Sequence, residues 1–280
     1  RKDLTDVTIF TIDGDDTKDI DDAISVEKLK NGNYKLGVHI ADVSYYVKEG
    51  SPLDKEAMDR GTSVYLVDRV IPMLPHKLSN GICSLNPGVE RLAISCVMEI
   101  DNNGKTVDYE IFPSIIKSRL QMTYKKVNQV IEKNEIPEGY EPFVNDLKLM
   151  DELSQIIRKA KINRGYIDFD VDEAKIIVDE NCHPTDIVLR NRGRGENLIE
   201  DFMIQANECV ATHIFYMDLP FIYRVHEYPK EEKIRDFISF VQSLGYTVKF
   251  NTKDISPKAI QNLINQLKDK KEFKVLSSLL

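Results

Sequence analysis

The chain has 280 residues, with 38 Lys plus Arg against 46 Asp plus Glu and a formal net charge of −8. At 42% hydrophobic and 30% charged it has the composition of a globular protein with a sizeable core, which excludes a disordered or fibrous chain. No apolar run approaches the ~18 residues of a membrane span and no signal peptide heads the sequence, so a cytoplasmic protein with no membrane partner is expected. A pI near 5.3 stands against nucleic acid as a partner, because such binders usually carry a basic excess.

The first half reads as strands joined by tight turns. Residues 7–12 and 34–40 alternate or run apolar with β-branched side chains, and Asn31-Gly32-Asn33 is a hairpin signal. A short helix is expected over residues 52–60, opened by Ser51 and stopped at Gly61. Residues 91–100 and 105–116 form a second hairpin around Asn102-Asn103-Gly104. The second half is richer in helix. Leu147, Met150, Leu153, Ile157 and Ala160 recur at helical spacing, as do Ile199, Phe202, Ala206, Val210, His213 and Met217. Ser256-Pro257 is an N-cap with proline at the first helical position, heading a helix through Leu267. The expected fold is one α+β domain over residues 1–280, an antiparallel-rich sheet or barrel surrounded by helices. It starts at Arg1 rather than Met, so a fragment or processed product is expected, and because it ends in apolar, helix-like text the domain is expected to be truncated at its C-terminal side.

Cys83, Cys96, Cys182 and Cys209 have no CxxC spacing, which suits reduced thiols better than a disulfide or zinc site. His39 and His226 lack a metal-spaced partner and are expected to be structural. The chemistry is concentrated at residues 11–23. Six aspartates fall within the ten residues Asp13 to Asp22, between a strand and apolar text. Two like charges ~4 Å apart repel by about 1 kcal/mol in water and by more in a partly buried site. Such a loop is therefore either fully solvated or built for cations, and carboxylates suit hard divalent ions, Mg²⁺ above all where phosphate is the substrate. An EF-hand calcium loop fails on register whether it starts at Asp13, Asp15 or Asp16. A solvated loop and a one- or two-metal phosphodiester site remain.

The neighbouring text adds a resemblance. Asp13, Asp19, Asp21 and Asp22, at offsets 0, 6, 8 and 9, resemble the catalytic signature of the ribonuclease II / ribonuclease R family. His39-Ile40-Ala41-Asp42-Val43-Ser44, Tyr65-Leu66-Val67-Asp68-Arg69-Val70-Ile71-Pro72, Cys83-Ser84-Leu85-Asn86-Pro87, Arg164-Gly165-Tyr166-Ile167-Asp168-Phe169-Asp170 and Asn197-Leu198-Ile199-Glu200-Asp201-Phe202 continue it in order, in wording closer to ribonuclease R. The resemblance spans nearly the whole chain. It implies an RNB-type catalytic domain, a monomer, acting on the 3′ end of single-stranded RNA as a processive hydrolytic 3′→5′ exoribonuclease that releases nucleoside 5′-monophosphates. Asp13, Asp19, Asp21 and Asp22 would be both catalytic and metal-binding, holding one or two Mg²⁺. Tyr65 and Phe169 would stand against the terminal bases and Tyr124 near a ribose, and Glu200 would accept a hydrogen bond from a 2′-hydroxyl. Asp15 and Asp16 match no family role. A further family motif, of the character Ser-Pro-Ile-Arg-Arg-Tyr, and the flanking oligonucleotide-binding barrels find no match. The expectation is therefore a partial catalytic domain that binds metal and short RNA but turns over slowly or not at all.

Two alternatives stand beside this reading: a non-catalytic RNA-binding relative, and a metal-dependent phosphohydrolase of small nucleotides. Retention of all four aspartates argues against the first, and the spread of Tyr65, Tyr124 and Phe169 against the second. Arg158, Lys159, Lys161 and Arg164, and again Arg190, Arg192 and Arg194, either line a phosphate-tracking channel or form ordinary solvated faces. Gly193 and Gly195 make no dinucleotide fingerprint, since Leu198 takes the third glycine position. The acidic total no longer excludes RNA, because residues 13–22 carry −5 of the net −8.

Overall fold

The computed structural model describes residues 1–167, 173–190, 192–225, 227–251 and 255–280. In chain order the strands of the first half are β1 (Lys2–Asp3), β2 (Thr11–Asp13), β3 (Asp22–Lys28), β4 (Tyr34–Ala41), β5 (Val64–Tyr65), β6 (Val70–Ile71), β7 (Glu90–Ile100), β8 (Thr106–Lys117) and β9 (Gln121–Thr123). Helices α1 (Val43–Tyr46) and α2 (Pro52–Arg60) fall between β4 and β5. The second half holds α3 (Tyr124–Lys133), α4 (Val144–Arg164), the ribbon β10 (Glu173–Val178) and β11 (Pro184–Arg190), then α5 (Arg194–Tyr216), α6 (Glu231–Ser243), α7 (Pro257–Leu267) and α8 (Phe273–Leu279). This is the α+β arrangement the sequence leads one to expect.

The main sheet runs β1-β8-β7-β4-β3, antiparallel except where β1 lies parallel to β8. Both expected hairpins form, β3–β4 around Gly32 and β7–β8 around Gly104. One sheet face is covered by α3, α4 and α5. Ile24, Leu36, Val38 and Met98 meet Val127, Leu153, Ile157 and Phe202 there in one core. α2 begins and ends where Ser51 and Gly61 mark it, with Ser51 Oγ accepting from the Asp54 amide at 3.2 Å. Ser256 caps α7 in the same way. Among the described residues no helix is long and apolar enough to cross a membrane.

Two expectations need correction. Residues 7–12 do not form one strand: Ile9 and Phe10 are buried, but only Phe10 makes a bridge, to Ile24, and the ladder is confined to β2. Burial without pairing gives the same apolar text as a strand. The ribbon β10–β11, which the sequence reading does not anticipate, adds an antiparallel pair to the helical half. Gly193 has a packing role: a Cβ there would lie 2.2 Å from Asn128 Nδ2, so glycine lets the start of α5 close onto α3.

Candidate functional site

The acidic loop is held by the end of the sheet. β2 lies parallel to β9, with Asp13 opposite Thr123, and Asp22 opens β3 opposite Ile40. Between them the backbone is fastened at successive points. Gln121 Nε2 donates to the Thr17 carbonyl at 3.1 Å, and Ser84 Oγ donates to the Lys18 carbonyl at 2.9 Å. The Ile20 amide donates to Ser84 Oγ at 3.0 Å, the Leu85 amide to the Ile20 carbonyl at 2.9 Å, and the Ala41 amide to the Asp21 carbonyl at 2.9 Å. The Ile20 side chain is fully buried with Ile9, Ala23, Ala41 and Leu85. An apolar pin between Asp19 and Asp21 thus keeps the carboxylates at the rim while the loop stays anchored.

The four motif aspartates share one electrostatic environment. Burial, followed by the charges of Asp22, Asp21 and Asp19, pushes Asp13 up to about 7. Burial and Asp21 push Asp22 up to about 6, and Asp21 is raised by burial and by Asp19. Asp13 Oδ2 is buried without a hydrogen-bond partner. An all-carboxylate donor set with an orphaned buried oxygen fits a hard divalent cation. Among the described residues, however, no three His, Cys, Asp or Glu side chains converge in a metal-binding geometry. The carboxylates are close enough to repel one another but are not closed around a point, and their mutual repulsion opposes closing. Asp15 and Asp16 are exposed.

Tyr65 lies beside the loop. On β5, paired to β6, its hydroxyl donates to Asp19 Oδ2 at 3.2 Å while the residue stays 67% exposed. Val64, Leu66, Val67, Val70 and Ile71 of the same hairpin are also exposed, giving an apolar rim. At the tip, Asp68 accepts from Cys182 Sγ at 3.3 Å, so the turn between β10 and β11 meets this hairpin. Tyr124 opens α3 directly after Thr123, the partner of Asp13, and is half-buried. Phe169 and His226 lie outside the described residues.

Glu200 belongs to a different cluster, between α4 and α5. It accepts from the Tyr166 hydroxyl at 2.9 Å and from Arg192, and lies 3.8 Å from Arg158 and 3.9 Å from Lys161. Burial raises its pKa, but the hydrogen bonds from Tyr166 and Arg192 and the charges of Arg192 and Arg158 outweigh it, leaving the carboxyl below its ordinary value. Next to it Asp201 is fully buried. Its carboxylate accepts from Ser154 Oγ at 2.9 Å, Arg158 Nε at 3.0 Å and Lys161 Nζ at 2.8 Å. Arg164 pairs with Glu208 and Arg194 with Asp151. Five cations of the two basic clusters are therefore engaged by carboxylates of the chain itself: Arg158 and Lys161 are drawn inward to Asp201, while Arg164, Arg192 and Arg194 pair on solvated faces. The Lys159 side chain is exposed, and that of Arg190 lies outside the described residues.

The sequence reading missed Ser84, Gln121 and Asp201 as organising residues. Ser84 and Asp201 had a signal, their places in the 83–87 and 197–202 blocks, but single polar residues give no periodicity from which a long-range contact could be read. His39 is 1% exposed, with Nε2 3.1 Å from Ser25 Oγ and Nδ1 2.7 Å from Ser95 Oγ, the satisfied structural histidine expected of it. The four cysteines are free thiols.

A family model described as "RNB domain" matches residues 1–280. Ribonuclease R of Thermotoga maritima is 54% identical over 270 residues, 96% of this chain and 38% of the relative. Ribonuclease R 1 of Lactococcus lactis is 50% identical over 281 residues, all of this chain and 34% of the relative. Among solved structures, Mycoplasma genitalium RNase R in complex with ribose methylated single-stranded RNA superposes with a TM-score of 0.95 at 34% identity, covering all of this chain and 44% of that one. The chain thus spans little more than a third of the length of these two curated relatives.

Proposed function

We propose that this chain, which belongs to the RNB domain family, acts over residues 1–280 as the catalytic unit of a hydrolytic 3′→5′ exoribonuclease. It removes nucleoside 5′-monophosphates from single-stranded RNA. The observation that carries the reading is the orphaned, buried Asp13 Oδ2, within electrostatic reach of Asp19, Asp21 and Asp22. These four residues would hold Mg²⁺, which on binding lowers the pKa of a water and neutralises charge on the leaving oxygen.

The chain's own groups do the rest. Strand ends fix Asp13 and Asp22, so the carboxylates keep their places while the RNA end is drawn through. The exposed Tyr65 ring offers a face for the terminal base, while its hydroxyl keeps hold of Asp19. Tyr124 follows the Asp13–Thr123 pair and would lie near a ribose, and Phe169, on the family resemblance, would stand against a terminal base. Glu200, kept ionised by its neighbours, has two of its roughly four lone-pair positions taken by Tyr166 and Arg192; those left can accept a 2′-hydroxyl. A ribonuclease R complexed with single-stranded RNA supports the substrate class. A cytoplasmic monomer fits the reading.

The test is digestion of 5′-labelled single-stranded RNA by the whole protein, with the released nucleotides identified, with Mg²⁺ and with chelator, beside an Asp21→Asn variant. Stepwise release of mononucleotides only by the metal-loaded native protein is expected. Activity surviving in the chelated or the variant sample would sink the metal-assisted mechanism.

A further inference from the structure

Asp19 differs from the other motif aspartates in how its backbone is held. Asp13 and Asp22 lie on strands, and Asp21 is tied to β4 through the Ala41 amide. Asp19 has a single clamp spanning both its neighbours. The Ser84 hydroxyl accepts from the Ile20 amide at 3.0 Å and donates to the Lys18 carbonyl at 2.9 Å. A hydroxyl has one proton and two lone pairs, so both bonds form at once. Asn86 Oδ1, at 3.4 Å, is a weaker competitor for the proton. Ser84 is itself fixed: it is fully buried, Arg91 Nε donates to its carbonyl at 2.8 Å, and the next amide, Leu85, is bonded to Ile20.

We propose that Ser84 is a positioning residue, which sets the direction of the Asp19 carboxylate by fixing the backbone on either side of it. The inference rests on the reading of the acidic loop as a metal centre. Removing the hydroxyl leaves the buried Ile20 amide and the part-buried Lys18 carbonyl without this partner, and the loop relaxes around them. The Ile20 carbonyl and side chain and the Thr17 carbonyl stay anchored, but the peptide groups flanking Asp19 lose the clamp that spans them, and its carboxylate no longer points where Asp13, Asp21 and Asp22 need it. A threonine keeps the clamp. A cysteine offers a weaker donor and acceptor at the same place.

The experiment uses the whole protein, with Mn²⁺ alone as the probe, and reads free Mn²⁺ by electron paramagnetic resonance. Binding of a labelled oligoribonucleotide in chelator is measured beside it. Ser84→Ala is expected to weaken Mn²⁺ binding roughly 10- to 100-fold, the range for removing a group that orients a ligand, with RNA binding in chelator changed by no more than about twofold. Ser84→Thr returns Mn²⁺ affinity to near the native value, and Ser84→Cys falls between the two and supplies the comparison if the alanine variant does not fold. Native Mn²⁺ affinity in folded Ser84→Ala overturns the proposal. So do metal and RNA affinity falling together, and a folded Ser84→Thr as weak as Ser84→Ala. Failure of the native protein to bind Mn²⁺ is a different result, which overturns the metal reading of the loop itself.

Discussion

Asp13 and Asp201 are both aspartates drawn out of water, and the fold treats them in opposite ways. Asp201, fully buried, is met by Ser154, Arg158 and Lys161 within 3.0 Å, so its charge joins α4 to α5. Asp13 meets other carboxylates instead, and one of its oxygens has no partner. Removing charge from water is costly unless a partner compensates. The first arrangement supports the fold. The second opposes it, and a buried carboxylate perturbed by burial and by like charges is a candidate for chemistry.

The largest expected difference between the two lies in activity. Asp13→Asn should lower RNA hydrolysis at saturating Mg²⁺ by about 10⁴-fold, since several kcal/mol of charge stabilisation depend on the metal and each tenfold is about 1.4 kcal/mol. Single-turnover assays check this, and a loss of less than tenfold would place Asp13 outside the metal centre. Asp201→Ala should act on stability. Removing one partner of a buried pair costs about 3–5 kcal/mol, because Lys161, only 3% exposed, is left with the longer contact to Glu200 alone among carboxylates. Urea unfolding reads the loss, and Mg²⁺ should not restore it. A loss below about 1 kcal/mol would mean that α4 and α5 do not depend on the charge at their centre.

His39 gives a third case, buried and satisfied without charge. Its ring joins Ser25 and Ser95, and Ser95 continues to Ser114 at 2.7 Å, a chain across four strands. A Cβ on Gly37 would lie 2.4 Å from Ser25 Oγ, so glycine at that place leaves the chain intact. Burial lowers the imidazole to about 4, well below its ordinary 6.5. A depressed folded pKa gives stability that is full above 6.5 and is lost as pH falls toward 4, here up to about 3 kcal/mol. In the folded protein the His39 ring should titrate near 4 by NMR, and a midpoint near 6.5 would mean that the chain opens to water.

Much of this architecture is legible in the text where the signal is local. The boundaries of α2 follow from Ser51, Pro52 and Gly61, and the start of α7 from Ser256-Pro257, because capping is decided within a few residues. The hairpins at Gly32 and Gly104 are legible for the same reason. The acidic loop announces itself by charge density alone. The fate of the basic residues does not, since whether Arg158 and Lys161 face RNA or Asp201 is settled by how α4 lies on α5, some forty residues on. The clamp from Ser84 to Lys18 and Ile20 crosses an even longer separation, with one hydroxyl as its only trace.

The smallest effect is the sharpest test of the opening contrast, because its sign separates the two aspartates. With its pKa raised to about 7, Asp13 supports the fold fully only below about 4, and that contribution is lost as pH rises through 7 and a carboxylate forms beside three others. Asparagine never ionises. In chelator at pH 8, Asp13→Asn should therefore be more stable than the native protein, by about 1–2 kcal/mol once screening of a partly exposed group is allowed for. Below pH 4 the two should converge, since the native residue is then neutral as well. Saturating Mg²⁺ should narrow the gap at pH 8, because it stabilises only the folded native site. Asp201→Asn, which takes away the charge that Arg158 and Lys161 meet, should instead be weaker than the native protein in the same sample. If Asp13→Asn instead unfolds at lower urea than the native protein in chelator at pH 8, Asp13 is a structural partner of the same kind as Asp201, and the contrast between the two regions fails.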